Sequence, residues 1–170
     1  MEQKKMERIN RIWCHKIYQD CLRQIRTLEK TREFCRHTPE HFLDVARLSY
    51  ILALEEGSLP DKKADRERIK ELLYAAGLLH DIGRHLQYEQ GIPHEEASAG
   101  IAEGILRDCG FSEDEKERIL HLIRSHRTKG QNGLEGIFYR ADKLSRNCFA
   151  CPVREICDWP ETKKNLEITL

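Results

Sequence analysis

The chain has 170 residues, and its 29 Lys+Arg balance 29 Asp+Glu, giving a formal net charge of zero. That length suits one domain with a sizeable core. The balanced charge argues against bulk electrostatic binding to nucleic acid or an anionic membrane, while leaving room for a local basic pocket. No apolar run approaches the roughly 20 residues that span a bilayer, and the opening Met1-Glu2-Gln3-Lys4-Lys5 lacks the apolar stretch of a signal peptide. A cytoplasmic protein with no membrane partner is expected. In a reducing compartment its seven cysteines are buried thiols or metal ligands rather than a disulfide framework.

Apolar spacing is helical nearly throughout. Ile9, Ile12, Trp13, Ile17, Cys21, Ile25 and Leu28 recur at steps of mostly three and four, predicting an amphipathic N-terminal helix over about residues 6–30. Cys14 and Cys21 would lie on one face of it as core thiols. Thr38-Pro39 reads as an N-cap and a proline at the first helical position. They open a helix that buries Phe42, Val45, Ala46, Ser49, Leu52 and Ala53 and ends near Gly57. Ile69, Leu72, Leu73, Ala76 and Leu79 mark the next helix, which stops over His80 to Gly83. A loop from Gln87 to Pro93 leads to a helix from His94 through Ile101, Ile105 and Leu106 to Gly110. Ser112 with Glu115 forms a capping box for a helix carrying Ile119, Leu122 and Ile123 and ending near His126. A last core helix runs from about Leu134 to Leu144. With no alternating strand pattern and no repeat, the expected fold is all-α.

Within that frame, Leu78-Leu79-His80-Asp81 sets an imidazole beside a carboxylate at the end of an apolar run. Four other helix positions extend the set. His41 falls in a first turn, His94 opens a helix, His126 closes one, and Asp142 lies late in the last core helix. Ends of packed helices can converge, and imidazole with carboxylate suits Fe, Mn, Zn or Co. His126 follows Ile123 by three, at the rim of the apolar face, whereas His121 faces elsewhere. His15, His37, His85 and His121 read as surface or satisfied core residues. Further on, Cys148-x2-Cys151-x5-Cys157 could ligate a metal but needs a fourth ligand, and the spacing equally allows reduced, partly buried thiols.

The segments Glu40-His41-Phe42-Leu43-Asp44-Val45-Ala46, Ala75-Ala76-Gly77-Leu78-Leu79-His80-Asp81-Ile82-Gly83-Arg84 and Ala141-Asp142-Lys143, taken together, resemble the HD-domain metal-dependent phosphohydrolase superfamily. Symmetrical diadenosine tetraphosphate hydrolases look like near small relatives. The resemblance covers about residues 32–147. It implies a helical core of five or more helices there; with the N-terminal helix before it and a short cysteine-containing tail at 148–170 after it, a single domain over 1–170 is expected. The resemblance also implies one metal among His41, His80, Asp81 and Asp142. A second would bind through His94 and His126 with Asp81 as the bridge. Iron or manganese would be the first choice, with zinc, cobalt or nickel as alternatives. Two such cations about 3.5–4 Å apart would activate a water and clamp phosphoryl oxygens. Asp81, Arg84 and Lys143 would then be catalytic, and Arg84, Arg127 and Lys143 would meet substrate phosphate, although each cation also suits ordinary surface charge. Arg84 replaces a common lysine, setting a planar fork where a point charge is usual.

The implied activity is hydrolysis of a nucleotide, a dinucleoside polyphosphate or another small phosphorylated metabolite. A non-catalytic nucleotide-binding module and a di-iron oxygenase are the rival readings. If His41 and Asp142 share a metal, Cys35 and Cys148, each six residues away, start from one neighbourhood. Cys35 is then the fourth partner for Cys148, Cys151 and Cys157 in a zinc or [4Fe–4S] site. The tail looks like that of small clostridial-type HD proteins with the same Asp-Lys-x-Ser-Arg run and following cysteines.

Overall fold

Eight α-helices and three 3-10 turns make up the regular structure of the computed structural model, which describes residues 5–169, with no strand among them. Residues 1–4, most of the stretch read against a signal peptide, lie outside the described residues. The helices are α1 (Glu7–Cys14), α2 (Lys16–Leu28), α3 (Pro39–Glu55), α4 (Lys63–Leu79), α5 (Arg84–Gln90), α6 (His94–Asp108), α7 (Glu113–Ser125) and α8 (Gly133–Leu144). The turns, at Cys148–Ala150, Arg154–Ile156 and Glu161–Lys163, belong to the tail. The all-α expectation holds. Among the described residues no helix is long and apolar enough to cross a membrane.

Helix α4 is the axis of the packing, touching α1, α3, α6 and α7. Its last turns, Leu72 to Leu79, bury Leu72, Leu73, Ala75, Ala76, Gly77, Leu78 and Leu79 on every side, as a central helix must. Both predicted caps form. The Thr38 hydroxyl accepts from the His41 amide ahead of Pro39, and Ser112 and Glu115 bond reciprocally at the start of α7. Glu115 also joins Arg8 of α1, which pairs in addition with Glu71 of α4. Hydrogen bonds from Arg8 hold the Glu115 carboxyl at about 2.

Two glycines decide how closely the helices approach. A Cβ on Gly77 would lie 2.6 Å from the Cβ and 2.8 Å from the amide nitrogen of Ala46, so α3 and α4 meet backbone to backbone. A Cβ on Gly83 would lie 2.4 Å from the Ser98 nitrogen of α6, and the Gly83 N–H donates to Ser98 Oγ at 2.9 Å. These contacts flank His80-Asp81 on either side.

Three predicted details differ. The N-terminal helix bends at His15, which is extended (φ −67°, ψ 132°), and so divides into α1 and α2. The reason is phase. Ile9 and Ile12 bury against α4, whereas α2 buries Tyr18, Cys21 and Ile25 and packs on α5. One straight helix cannot face both partners in that register. The bend leaves Cys14 exposed, so of these two cysteines Cys21 alone is a core thiol, and Trp13 and Ile17 stay exposed too. Finally, residues 87–90 finish α5 instead of forming loop, and the connection to α6 shortens to residues 91–93.

Gly77→Ala should lower the free energy of unfolding by about 1–3 kcal/mol through forced separation of α3 and α4. Gly100 of α6 has open space around it, so Gly100→Ala should instead raise stability by about 0.5–1 kcal/mol through helix propensity alone. Urea melts of both variants beside the parent test this, and equal midpoints for all three would contradict it.

Candidate metal centre

Five helix termini or terminal turns converge where the two glycines bring them. The first turn of α3 supplies His41, the residues after α4 supply His80 and Asp81, α6 opens on His94, α7 closes on His126, and the last turn of α8 supplies Asp142. All six are buried. Three of the imidazoles are locked from behind. His80 Nδ1–H donates to the Gly77 carbonyl at 2.8 Å, and His126 Nδ1–H to the Ile123 carbonyl at 2.6 Å. The Ser145 hydroxyl donates to the Asp142 carbonyl at 2.7 Å, so its oxygen accepts the His41 Nδ1–H at 2.9 Å. Each bond fixes the tautomer and turns the Nε2 lone pair inward.

Those lone pairs sort onto the two oxygens of one carboxylate. Asp81 Oδ2 lies 3.3 Å from His80 Nε2 and 3.7 Å from His41 Nε2, and both imidazoles also approach Asp142 Oδ1, at 3.8 and 3.6 Å. Asp81 Oδ1 lies 3.2 Å from His94 Nε2 and 3.8 Å from His126 Nε2. The result is two donor groups, His41-His80-Asp81-Asp142 and Asp81-His94-His126, each with its ligand atoms within 4.8 Å of one another.

The donor set suits a cation. His80 Nε2 is buried with no hydrogen-bond partner. The Nε2 atoms of His94 and His126 stand 3.2 Å apart, a separation that needs a proton or a cation between them. Charge agrees. Burial alone would raise the Asp81 and Asp142 carboxyls, but His80 and the cations Arg84 and Lys143 outweigh it and hold both well below the usual range. Burial pushes His41 down to about 3 and His94 to about 2, and lowers His126. For His80 burial is outweighed by Asp81 and Asp142, so it is raised.

The three predicted phosphate cations line one cavity of about 420 Å³ beside the centre, but not as free charges. Arg84 Nε donates to Asp81 Oδ1 at 3.0 Å and its Nη1 to Gln87. Lys143 Nζ donates to Asp142 Oδ2 at 2.6 Å. Arg127 is the open one, its nearest carboxylate being Glu95 at 4.0 Å. Arg32 and Arg146 join the same wall, with the aromatic rings of Phe34 and Trp159.

Two contributors escaped the sequence reading. His37, placed there among surface or satisfied core residues, is buried. Its Nδ1 bonds the Glu29 carboxylate, which also accepts the His37 amide at 2.7 Å and the Tyr88 hydroxyl at 2.6 Å. The remaining nitrogen, Nε2, faces Asp81 Oδ2 at 3.5 Å. Burial lowers His37. Burial opposes ionisation of Glu29 as well, but its bonds from His37 and Tyr88 prevail and bring it to about 2. Arg146 is the second, donating to His41 Nε2 at 3.1 Å. Of the other histidines set aside, His121 is exposed near Glu135, His15 reaches Asp108, and His85 is buried with Nδ1 on the Ile82 carbonyl.

Residues 38–147 match the family model described as HD domain. An uncharacterized protein of Clostridium beijerinckii is 42% identical over 163 residues, covering 96% of this chain and 99% of its own. Ribonuclease Y of Oleidesulfovibrio alaskensis is 29% identical over 133 residues, 77% of this chain and 22% of that protein. Ribonuclease Y of Nitratidesulfovibrio vulgaris is 32% identical over 112 residues, 66% and 18% respectively. The chain therefore spans less than a quarter of either ribonuclease. No solved structure matches it.

The titrations set a pH dependence for metal-free protein. His37, His41, His94 and His126 are depressed in the folded state relative to an ordinary 6.5, so below about pH 6.5 the unfolded chain takes up protons first and stability is lost. The depressed carboxyls of Glu29, Asp81 and Asp142 add to that loss at lower pH. His80 alone works oppositely. Chelator-treated protein should therefore unfold at progressively lower urea from pH 7 to pH 4. A stability maximum near pH 5 would contradict the assignment of four neutral imidazoles.

Proposed function

The chain belongs to the HD-domain family, and on that premise we propose that it is a metal-dependent phosphohydrolase acting on a nucleotide or dinucleoside polyphosphate. The observation that carries this reading is the division of donors about Asp81, one oxygen toward His41 and His80, the other toward His94 and His126. His41, His80, Asp142 and Asp81 Oδ2 would hold one divalent transition metal, and His94, His126 and Asp81 Oδ1 a second. Iron and manganese suit this nitrogen and oxygen set. Bound there, such ions supply water activation at neutral pH and neutralise charge on a phosphoryl group.

The chain's own residues do the rest. Arg84 and Lys143 keep Asp81 and Asp142 ionised and oriented through their hydrogen bonds. Arg32, Arg127 and Arg146 line the cavity wall and bind the anionic phosphates, with planar guanidinium forks matching phosphate oxygens. Phe34 and Trp159 offer a stacking surface for a base. The Glu29 carboxylate fixes the His37 tautomer, leaving Nε2 as an acceptor beside Asp81. A cavity of about 420 Å³ accommodates a small ligand. The ribonuclease Y relatives support a second substrate, a phosphodiester in RNA.

Chromatographic product analysis with metal-loaded protein, screened over nucleotides and dinucleoside polyphosphates with labelled RNA oligonucleotides alongside, separates the two substrates, because the first yield mononucleotides or phosphate and the second shortened RNA. In the active assay Asp81→Asn should lose at least about a thousandfold in kcat, the scale of several kcal/mol of charge stabilisation. Unchanged turnover in that variant would end the assignment. Glu29→Gln, which loosens His37 without touching Asp81, should lower turnover or metal affinity about 10–100-fold. Parent-like values for both would reduce His37 to packing.

A further inference from the structure

Four of the seven cysteines meet at one place outside the His/Asp centre. Cys35 comes from the segment between α2 and α3. Cys148 opens the first 3-10 turn of the tail, Cys151 follows it, and Cys157 follows the second. All four line one small cavity with Phe34, Arg154, Trp159 and Lys164, and none is in a disulfide. The other three lie elsewhere: Cys14 is exposed, and Cys21 and Cys109 belong to the hydrophobic core.

The tail needs such a tie. Of residues 148–169 only Cys148 is buried, and Ile156 and Ile168 stand 66% and 83% exposed. Polar links do exist. Asn165 Nδ2 donates to the carbonyls of Lys143 and Arg146, each at 2.8 Å, and the Phe149 amide donates to the Asn165 carbonyl. A stretch with no core of its own gains too little from burial to fix its turns. A metal crosslink from several thiolates supplies what burial does not.

Size selects the metal group. A single zinc holds sulfur at about 2.3 Å, which puts four sulfurs about 3.8 Å apart and leaves no space between them. Among the described residues, the donor groups of three or more lying within 4.8 Å of one another are the two at the His/Asp centre, so these sulfurs stand wider than a zinc draws them. Four thiolates at wider spacing are the ligand set of a cubane cluster. Basic side chains offset the charge, with Arg154 and Lys164 on the cavity wall and Arg146 acting on Cys35.

We propose that Cys35, Cys148, Cys151 and Cys157 ligate a [4Fe–4S] cluster. The cluster is structural. It ties the tail to the segment before α3 and so holds Asp158 and Trp159, next to Cys157, in the wall of the cavity beside the His/Asp centre. This inference does not rest on the hydrolase reading, because iron–sulfur content and phosphate release are separate measurements.

The full chain, purified without oxygen and reconstituted with Fe²⁺ and sulfide, should be brown, with about four acid-labile sulfides per chain. Sulfide is the deciding quantity, since the His/Asp centre can take iron but no sulfide. Cys→Ser at position 35, 148, 151 or 157 should abolish colour and sulfide, while Cys14→Ser keeps both. Should those variants not fold, the parent alone still decides: loss of its colour to a chelator and return on reconstitution support the cluster. Reconstituted parent protein without sulfide overturns it. So does one zinc per chain that disappears in the same four variants. Asp81→Asn should leave the sulfide count unchanged, which keeps failure of the hydrolase reading distinct from failure of this one.

Discussion

The centre depends on two backbone approaches that no side chain could permit. Gly77 lets α4 lie against Ala46 of α3, and Gly83 lets the turn after α4 lie against Ser98 of α6. His41 sits five residues before Ala46, and His94 four before Ser98. The donors are thus placed by where the main chains touch, about one turn away. The Gly77 carbonyl then accepts His80 Nδ1–H, so one residue sets both the helix spacing and the tautomer of a donor. Precision of this kind comes from rigid elements rather than from loops.

Asp81 is the electrostatic counterpart of that geometry. It is fully enclosed by imidazoles and one guanidinium, and its ionised form is what makes their arrangement tolerable. A buried carboxylate without such partners would be protonated. The imidazoles respond in different ways because their surroundings differ. His80 lies between both carboxylates and is raised, while the others feel mainly desolvation and are lowered. Neutral imidazole and ionised carboxylate are the states in which these groups bind metal.

Much of this was legible in sequence because it is local. Helical periodicity, the Thr38-Pro39 cap and the Ser112–Glu115 box depend on neighbours within a few residues, and α3, α4, α6, α7 and α8 follow them closely. The order of His41, His80-Asp81, His94, His126 and Asp142 was readable as a pattern, and the structure brings all six together. What was not legible is relational. The bend at His15 arises because α1 and α2 have different packing partners, which apolar spacing does not encode. Residues 87–90 extend α5 although no apolar period marks a helix there. His37 lacks a motif of its own, and its role emerges only when Glu29 of the α2 terminus and Tyr88 of α5 close around it. The nearest signal was its position one residue before the Thr38 cap.

The cavity wall divides the chain in a second way. Residues 38–147, the family-matched part, supply Arg84, Arg127, Asp142, Lys143 and Arg146. Arg32, Phe34, Cys35 and His37 come from before it, and Cys157, Asp158 and Trp159 from after it. All six His/Asp donors thus lie inside the shared domain, whereas both aromatic residues of the cavity wall, Phe34 and Trp159, lie outside it. The flanks also carry His37, whose Nε2 faces Asp81, so they touch the centre at one point as well as lining the cavity. The aromatic lining of the cavity and the six donors beside it are thus encoded in separate stretches of the chain.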